Sequence, residues 1–134
     1  MKNIEFWKDR ERKIINPELF SVVANSLAEK FHEEGGRAKN KRTQLRKFYD
    51  EIYEYKARLK SLNEQERQKE FELTLPYLNM IIAKVTYAKG RKLVTDSFVD
   101  FIKNGIMNIK TPDDLFVFAD LFESIMGFYR IYGE

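Results

Sequence analysis

The sequence predicts an all-α protein, a compact bundle of about five helices in a single domain, and three observations carry that expectation. Apolar residues recur at spacings of three and four through most of the chain. Only 3 prolines and 6 glycines interrupt it. No segment alternates apolar and polar residues for long enough to make a strand. With 43% hydrophobic and 14% aromatic residues, including 11 Phe and 7 Tyr, the 134-residue chain has material for one core and lies outside the composition of disordered segments.

Taken in order, residues 1–15 carry no helix pattern and are expected as a loosely ordered start of the one domain, 1–134, with Ile4, Phe6 and Trp7 as three apolar docking groups in a charged tail. Asn16-Pro17-Glu18 opens the first helix as N-cap, first helical position and first-turn acid. Leu19, Val23, Leu27 and Phe31 follow on one face, and Gly35-Gly36 ends the helix and begins a flexible basic link. Thr43 is the expected cap of the second helix, whose half-buried face is Leu45, Phe48, Tyr49, Ile52, Tyr55 and Leu59. The polar segment 61 to 72, with Asn63 and Glu66 spaced as a capping box, reads either as a further helical piece or as a continuation of the helix before it; the sequence leaves both open. Pro76 is expected to open another helix, with Leu78, Ile81, Ile82 and Val85 inside and an end near Gly90. Thr95 to Asn104 forms a shorter one that buries Phe98, Phe101 and Ile102 and stops at Gly105. Thr111-Pro112-Asp113-Asp114 starts the last helix. There Leu115, Phe116, Val117, Phe118, Leu121, Phe122, Ile125, Met126, Phe128, Tyr129 and Ile131 cover nearly the whole circumference, so this helix is either central or covered in part by a partner, and self-association through it is expected.

Composition also bounds the chemistry. The absence of Cys excludes disulfides, zinc knuckles, iron–sulfur sites and thiol nucleophiles, and suits a reducing cytoplasm. The N-terminus has no apolar run of signal-peptide length, and nothing approaches the ~18 uncharged apolar residues of a membrane span. A soluble cytoplasmic protein is expected. Its single histidine, His32, stands at a helix end beside Glu33 and Glu34. Asp113 and Asp114 favour a helix dipole, and Glu64, Glu66 and Glu70 form a solvated face. No glycine-rich phosphate loop occurs. These residues supply no convergent catalytic set, so neither enzymatic activity, nor a cofactor, nor a metal is expected.

Lys and Arg number 24 against 21 acids, a net charge of +3, so the distribution of charge matters more than its sum. The stretch GGRAKNKRTQLRKFY, Gly35 to Tyr49, holds Arg37, Lys39, Lys41, Arg42, Arg46 and Lys47 and no acid. Arg46–Asp50 and Lys47–Glu51 are i,i+4 pairs in the weaker order, cation first. Arg42, Arg46 and Lys47 also fall near a helix N-terminus, where the dipole disfavours cations. Helix stability therefore does not account for them, whereas a phosphate would meet both the cations and free backbone N–H groups. The stretch KVTYAKGRK, Lys84 to Lys92, is similar: Met80, Lys84, Tyr87 and Arg91 share one stripe away from the Ile81 and Val85 face, and Lys89, Arg91 and Lys92 suit a helix C-terminus. Such a stripe holds phosphates while its ring stacks on a base or packs on a neighbouring helix.

QLRKFYDEI (Gln44 to Ile52), followed by KVTYAKGR (Lys84 to Arg91) and an aromatic C-terminal helix, resembles the small subunit of type III-A CRISPR effector complexes, the second protein of the Csm series; the likeness covers roughly residues 40 to 132. The resemblance implies a non-catalytic helical protein that stacks in more than one copy beside guide RNA and target RNA, in contact with other subunits, in antiviral defence. Carried over by position, Arg46, Lys47, Lys84 and Arg91 would face phosphate. With the residues around them, the expected RNA-binding set is Arg37, Lys39, Lys41, Arg42, Arg46, Lys47, Lys84, Lys89, Arg91 and Lys92. The other class that the sequence supports is a helical adaptor that binds only protein, its basic stretch a solvated face.

Overall fold

Asn16 caps a turn and not a helix: its side-chain oxygen accepts from the Glu18 N–H at 3.0 Å and its carbonyl from the Leu19 N–H at 3.0 Å, so Pro17 and Glu18 are turn residues and the helical part begins at Leu19, later than expected. The four-residue repeat then slips. Leu19–Val23 is a π-helical turn, in which the Val23 N–H reaches back five residues to the Glu18 carbonyl, and only then does α1 (Ala24–Gly35) begin. The extra residue puts Ala24 rather than Val23 in the core with Leu19, Leu27, Ala28 and Phe31, and leaves Val22 exposed. The computed structural model describes residues 3–132.

Helix α2 (Arg42–Lys60) buries Leu45, Phe48, Ile52 and Leu59. Its N-cap is Lys41, which makes no side-chain cap, so Thr43 is not the start but an exposed residue of the first turn. The end of α2 is closed from outside: the Arg67 guanidinium donates to the carbonyls of Leu59, Lys60 and Leu62 at 2.8, 3.2 and 3.0 Å.

The largest departure from expectation is α3 (Glu64–Gly90), which runs unbroken through Pro76. Residues 64–72 are thus neither a separate piece nor a continuation of α2; they belong to the helix that follows. Asn63 accepts from the Glu66 N–H at 2.9 Å and fixes the start. Phe71, Thr74, Leu78, Ile81, Val85 and Ala88 then form one buried stripe with spacings of three and four across the proline. Pro76 is exposed, so the Glu72 carbonyl left without its N–H partner faces water, and packing holds the helix together on the other side.

Helix α4 (Asp96–Met107) extends past Gly105, which was expected to stop it. Gly105 is buried, and a Cβ there would lie 2.1 Å from the Phe118 ring. The missing side chain lets α4 approach the last helix closely instead of ending the turn. That last helix, α5 (Pro112–Tyr129), opens with a capping box between Thr111 and Asp114 and is followed by a 3₁₀ turn, Arg130–Tyr132. It is the central element: Leu115, Phe116, Val117, Phe118, Leu121, Phe122, Ile125 and Tyr129 are buried against the chain's other helices. Phe31, Phe98, Phe101, Phe118 and Phe122 form a cluster of rings 5.2 to 6.2 Å apart at its middle.

Of the segment 1–15, residues 1 and 2 lie outside the described residues. The remainder holds a short antiparallel hairpin, β1 (Trp7–Asp9) with β2 (Ile14–Ile15), where the sequence gives no strand signal. Phe6 is buried and stacks on Phe118. The Trp7 indole and the Arg10 guanidinium both donate to Oδ1 of Asp114 at 2.8 Å, while the backbone N–H groups of Lys110 and Thr111 donate to its other oxygen. Burial pushes the Asp114 carboxyl upward, but the hydrogen bonds from Lys110, Trp7 and Arg10 outweigh it and hold the pKa below its ordinary value.

Candidate nucleic-acid interface

The short turn between α2 and α3 makes them antiparallel, and the remaining connections are short as well. The C-terminal ends of α1, α3 and α5 therefore meet the N-terminal ends of α2 and α4 at one end of the bundle. Asn40 joins all five. Its backbone N–H donates to the Leu93 carbonyl at 3.0 Å, and its side-chain amide donates to the Phe31 carbonyl at 2.9 Å and the Thr95 hydroxyl at 2.8 Å. Its side-chain oxygen accepts from the Thr95 N–H at 3.0 Å, and its carbonyl accepts from the Tyr129 hydroxyl. Burial pushes the Tyr129 hydroxyl up to about 12, so it remains a donor. Asn40 is buried with φ at +55°, in the left-handed region that asparagine tolerates. The basic link is consequently pinned at its end and is not flexible in the sense that its glycines suggest.

This arrangement brings the two basic stretches together. Lys84 of α3 pairs with Glu51 of α2 at 3.0 Å. From that contact the helices run in opposite directions, so Lys47, one turn before Glu51, and Tyr87, nearly one turn after Lys84, lie at the same level. Of the ten expected residues, three are paired: Lys84 with Glu51, Arg46 with Asp50 at 3.8 Å, and Lys89 with Asp96, whose hydrogen bond raises the lysine pKa. Arg46 and Asp50 are both more than half exposed, so that contact is weak. The Lys47–Glu51 pair does not form, because Glu51 is occupied by Lys84 and by the Tyr55 hydroxyl. Arg37, Lys39, Lys41, Arg42, Lys47, Arg91 and Lys92 have no carboxylate within 4.0 Å among the described residues.

Tyr87 does not pack on a neighbouring helix. It is 67% exposed, with the Arg91 guanidinium 6.0 Å from its ring centroid. The stripe Met80–Lys84–Tyr87–Arg91 lies in solvent, and farther along the same flank of α3 Leu73 and Tyr77 are also exposed, at 68% and 55%. A single helix thus carries a core stripe and an outer stripe side by side.

Sequence reasoning missed the contributions of His32, Tyr132 and Arg130. Two adjoining concavities share Arg42. One, of about 270 Å³, is lined by His32, Gly36, Arg37, Lys39, Lys41, Tyr129 and Tyr132; the other, of about 190 Å³, by Arg46, Tyr49, Glu123, Met126, Gly127 and Arg130. Burial, then the nearby Glu123, pushes the Tyr49 hydroxyl up to about 12, so it keeps its proton beside that carboxylate. Arg130 was hidden because it follows an almost wholly apolar run. The uncapped first turn of α2 adds backbone N–H groups between the two concavities. Among the described residues no three His, Asp or Glu side chains gather as a metal site would require, and no helix is long and apolar enough to cross a membrane.

No curated protein and no solved structure matches this chain. The family model described as Csm2 Type III-A does, over residues 17–134, which takes in every helix and both basic stretches. The chain belongs to the Csm2 Type III-A family, the small subunits of type III-A CRISPR effector complexes.

Proposed function

We propose that the protein is a non-catalytic, cytoplasmic RNA-binding subunit, and that the basic end of its bundle runs along the phosphate backbone of guide or target RNA within the effector complex. The observation that carries this reading is the convergence of Arg37–Lys47 and Lys84–Lys92 on one end, with seven of the ten cations unpaired by any carboxylate among the described residues. The C-terminal ends of α1, α3 and α5 favour cations at this end, but neither they nor solvation require Arg42, Arg46 and Lys47 in the first turns of α2, whose N-terminal dipole disfavours them. Phosphates neutralise the cations and accept from the α2 N–H groups, and such contacts carry no base information, as suits a complex whose guides change.

The exposed apolar residues Leu73, Tyr77 and Met80 favour contacts with protein as well, and we assign the stacking of copies and subunits to that flank of α3. The apolar surface of α5 offers less reason for it, because the chain's own helices already cover most of that surface. The protein-only adaptor and the RNA-binding subunit make different predictions for one experiment. In the assembled complex, ultraviolet crosslinking to RNA followed by peptide mapping should place crosslinks in residues 37–49 and 84–93. Crosslinks confined to 64–76 or to the N-terminal hairpin, or none on this subunit, would overturn the RNA-binding assignment.

A further inference from the structure

The concavity beside Arg42 differs from the rest of the basic surface in having an aromatic wall. His32 and Tyr132 stack face to face, centroids 4.0 Å apart and planes 9° apart, and buried Tyr129 meets both edge-on. His32 is exposed and Tyr132 half-buried, so the pair is a rim of the concavity and not part of the core. Arg37, Lys39, Lys41 and Arg42 line the same concavity, none with a carboxylate partner among the described residues. The floor is rigid, because Asn40 is tied to four other segments. Gly36, at φ +59°, has open space where a Cβ would point.

A groove that only tracked a phosphate chain would need cations and no rings. A site that pairs four cations with a stacked ring pair suits a ligand that is anionic at one end and a flat heterocycle at the other. Its volume, about 270 Å³, falls just below the roughly 300 Å³ at which pockets begin to enclose drug-sized molecules. One nucleotide unit is of that scale; a helical segment of RNA is not.

We propose that this concavity is a mononucleotide pocket: one nucleoside phosphate seats its phosphate among Arg37, Lys39, Lys41 and Arg42 and packs its base against the His32–Tyr132 pair. This deepens the RNA-binding reading and rests on it for the biological source, since the unit is either one nucleotide of the bound RNA or a free nucleotide.

The test is a calorimetric titration of the full chain with adenosine 5′-monophosphate, inorganic phosphate and adenosine separately, repeated with Tyr132→Ala, His32→Ala, Tyr132→Phe and Arg42→Gln. The nucleotide should bind saturably and more tightly than phosphate or adenosine. Tyr132→Ala and His32→Ala should each weaken the nucleotide about tenfold, in line with the value of one base–aromatic stack, and leave phosphate binding unchanged. Tyr132→Phe should bind as wild type, and Arg42→Gln should weaken nucleotide and phosphate together. A merely structural role for Tyr132 would move both ligands, and unchanged far-UV spectra confirm that each variant folds. Competition between the nucleotide and single-stranded RNA would identify the unit as part of the RNA, and nucleotide binding without competition would identify a free ligand. Equal binding of nucleotide and phosphate, or none at millimolar concentration, would overturn the pocket. If RNA still binds with its salt dependence in that case, the backbone reading stands and only the pocket falls.

Discussion

The two ends of the bundle solve the same problem with opposite electrostatics. At the end where α5 begins, a buried carboxylate, Asp114, gathers Trp7, Arg10 and the backbone of Lys110 and Thr111, so the neighbouring cation is drawn inward and neutralised. At the end where α5 finishes, the buried hub is a neutral amide, Asn40, which satisfies the backbones and hydroxyls of its neighbours and does nothing for the cations around it. One end is closed upon itself; the other is held in shape with most of its cations lacking a carboxylate partner among the described residues. That difference is what separates a stabilising charge cluster from a binding surface.

The comparison is broken most forcefully at Asp114. Asp114→Ala would strand the indole, the guanidinium and two backbone donors and remove the side-chain half that Asp114 gives to the α5 capping box, and should destabilise the chain by about 3 kcal/mol in urea unfolding. RNA affinity of the folded fraction should not change, and a loss of RNA binding out of proportion to unfolding would contradict the separation of the two ends. The pH dependence has a definite sign. Because the native pKa is held below the ordinary value, stability from Asp114 is fully present above the unfolded value of about 4 and is lost as the pH falls through the native one, and Asp114→Asn should flatten that acid limb.

Asn40→Ala comes next. It should cost about 2 kcal/mol, from unpaired buried groups and a left-handed φ that alanine tolerates poorly. Unlike Asp114→Ala, it should also weaken RNA binding under conditions where the variant remains folded, because the basic link loses its anchor. Unchanged RNA affinity would show that the link needs no fixed shape. Gly105→Ala lies in the last turn of α4, toward the Asp114 end, and should cost about 1–3 kcal/mol through overpacking against Phe118, with no effect on RNA binding by the folded chain. The smallest effect on stability belongs to Lys47→Gln with Arg91→Gln, within about 0.5 kcal/mol by thermal unfolding, since both are exposed and neither has a carboxylate partner among the described residues.

The same contrast explains what was legible in the sequence. Local signals were legible at the Thr111–Asp114 box and the stripe of α2, and at Asn63, which accepts from the Glu66 N–H without the return bond of a full capping box. Readings failed where a distant contact decides. Pro76 ought to break a helix by its own chemistry, but a buried stripe from Phe71 to Ala88 carries α3 through it. Gly105 looks like a stop and is instead a gap for a ring 13 positions on, and Thr43 yields the start of α2 to a turn set by Asn40. Both basic stretches were visible as composition, and their meeting through the Lys84–Glu51 and Asn40–Leu93 contacts was not. Tyr132 and Arg130 carry no pattern at all; only the return of α5 to that end gives them a place.

The central claim, that the basic end and not the charge of the whole chain meets RNA, is tested most directly by the salt dependence of single-stranded RNA binding in two charge-reversed variants. Three neutralised phosphates give a slope of roughly −2 in log K against log salt, or about a 20-fold loss between about 50 and 200 mM. Lys47→Glu with Arg91→Glu should weaken binding and flatten that slope by roughly 1.4, two contacts' worth. Lys8→Glu with Lys69→Glu, exposed residues outside both basic stretches, makes the same change in net charge and should leave the slope near its original value. Equal losses and equal slopes from the two variants would show that bulk charge alone binds RNA, and would contradict the assignment of the site.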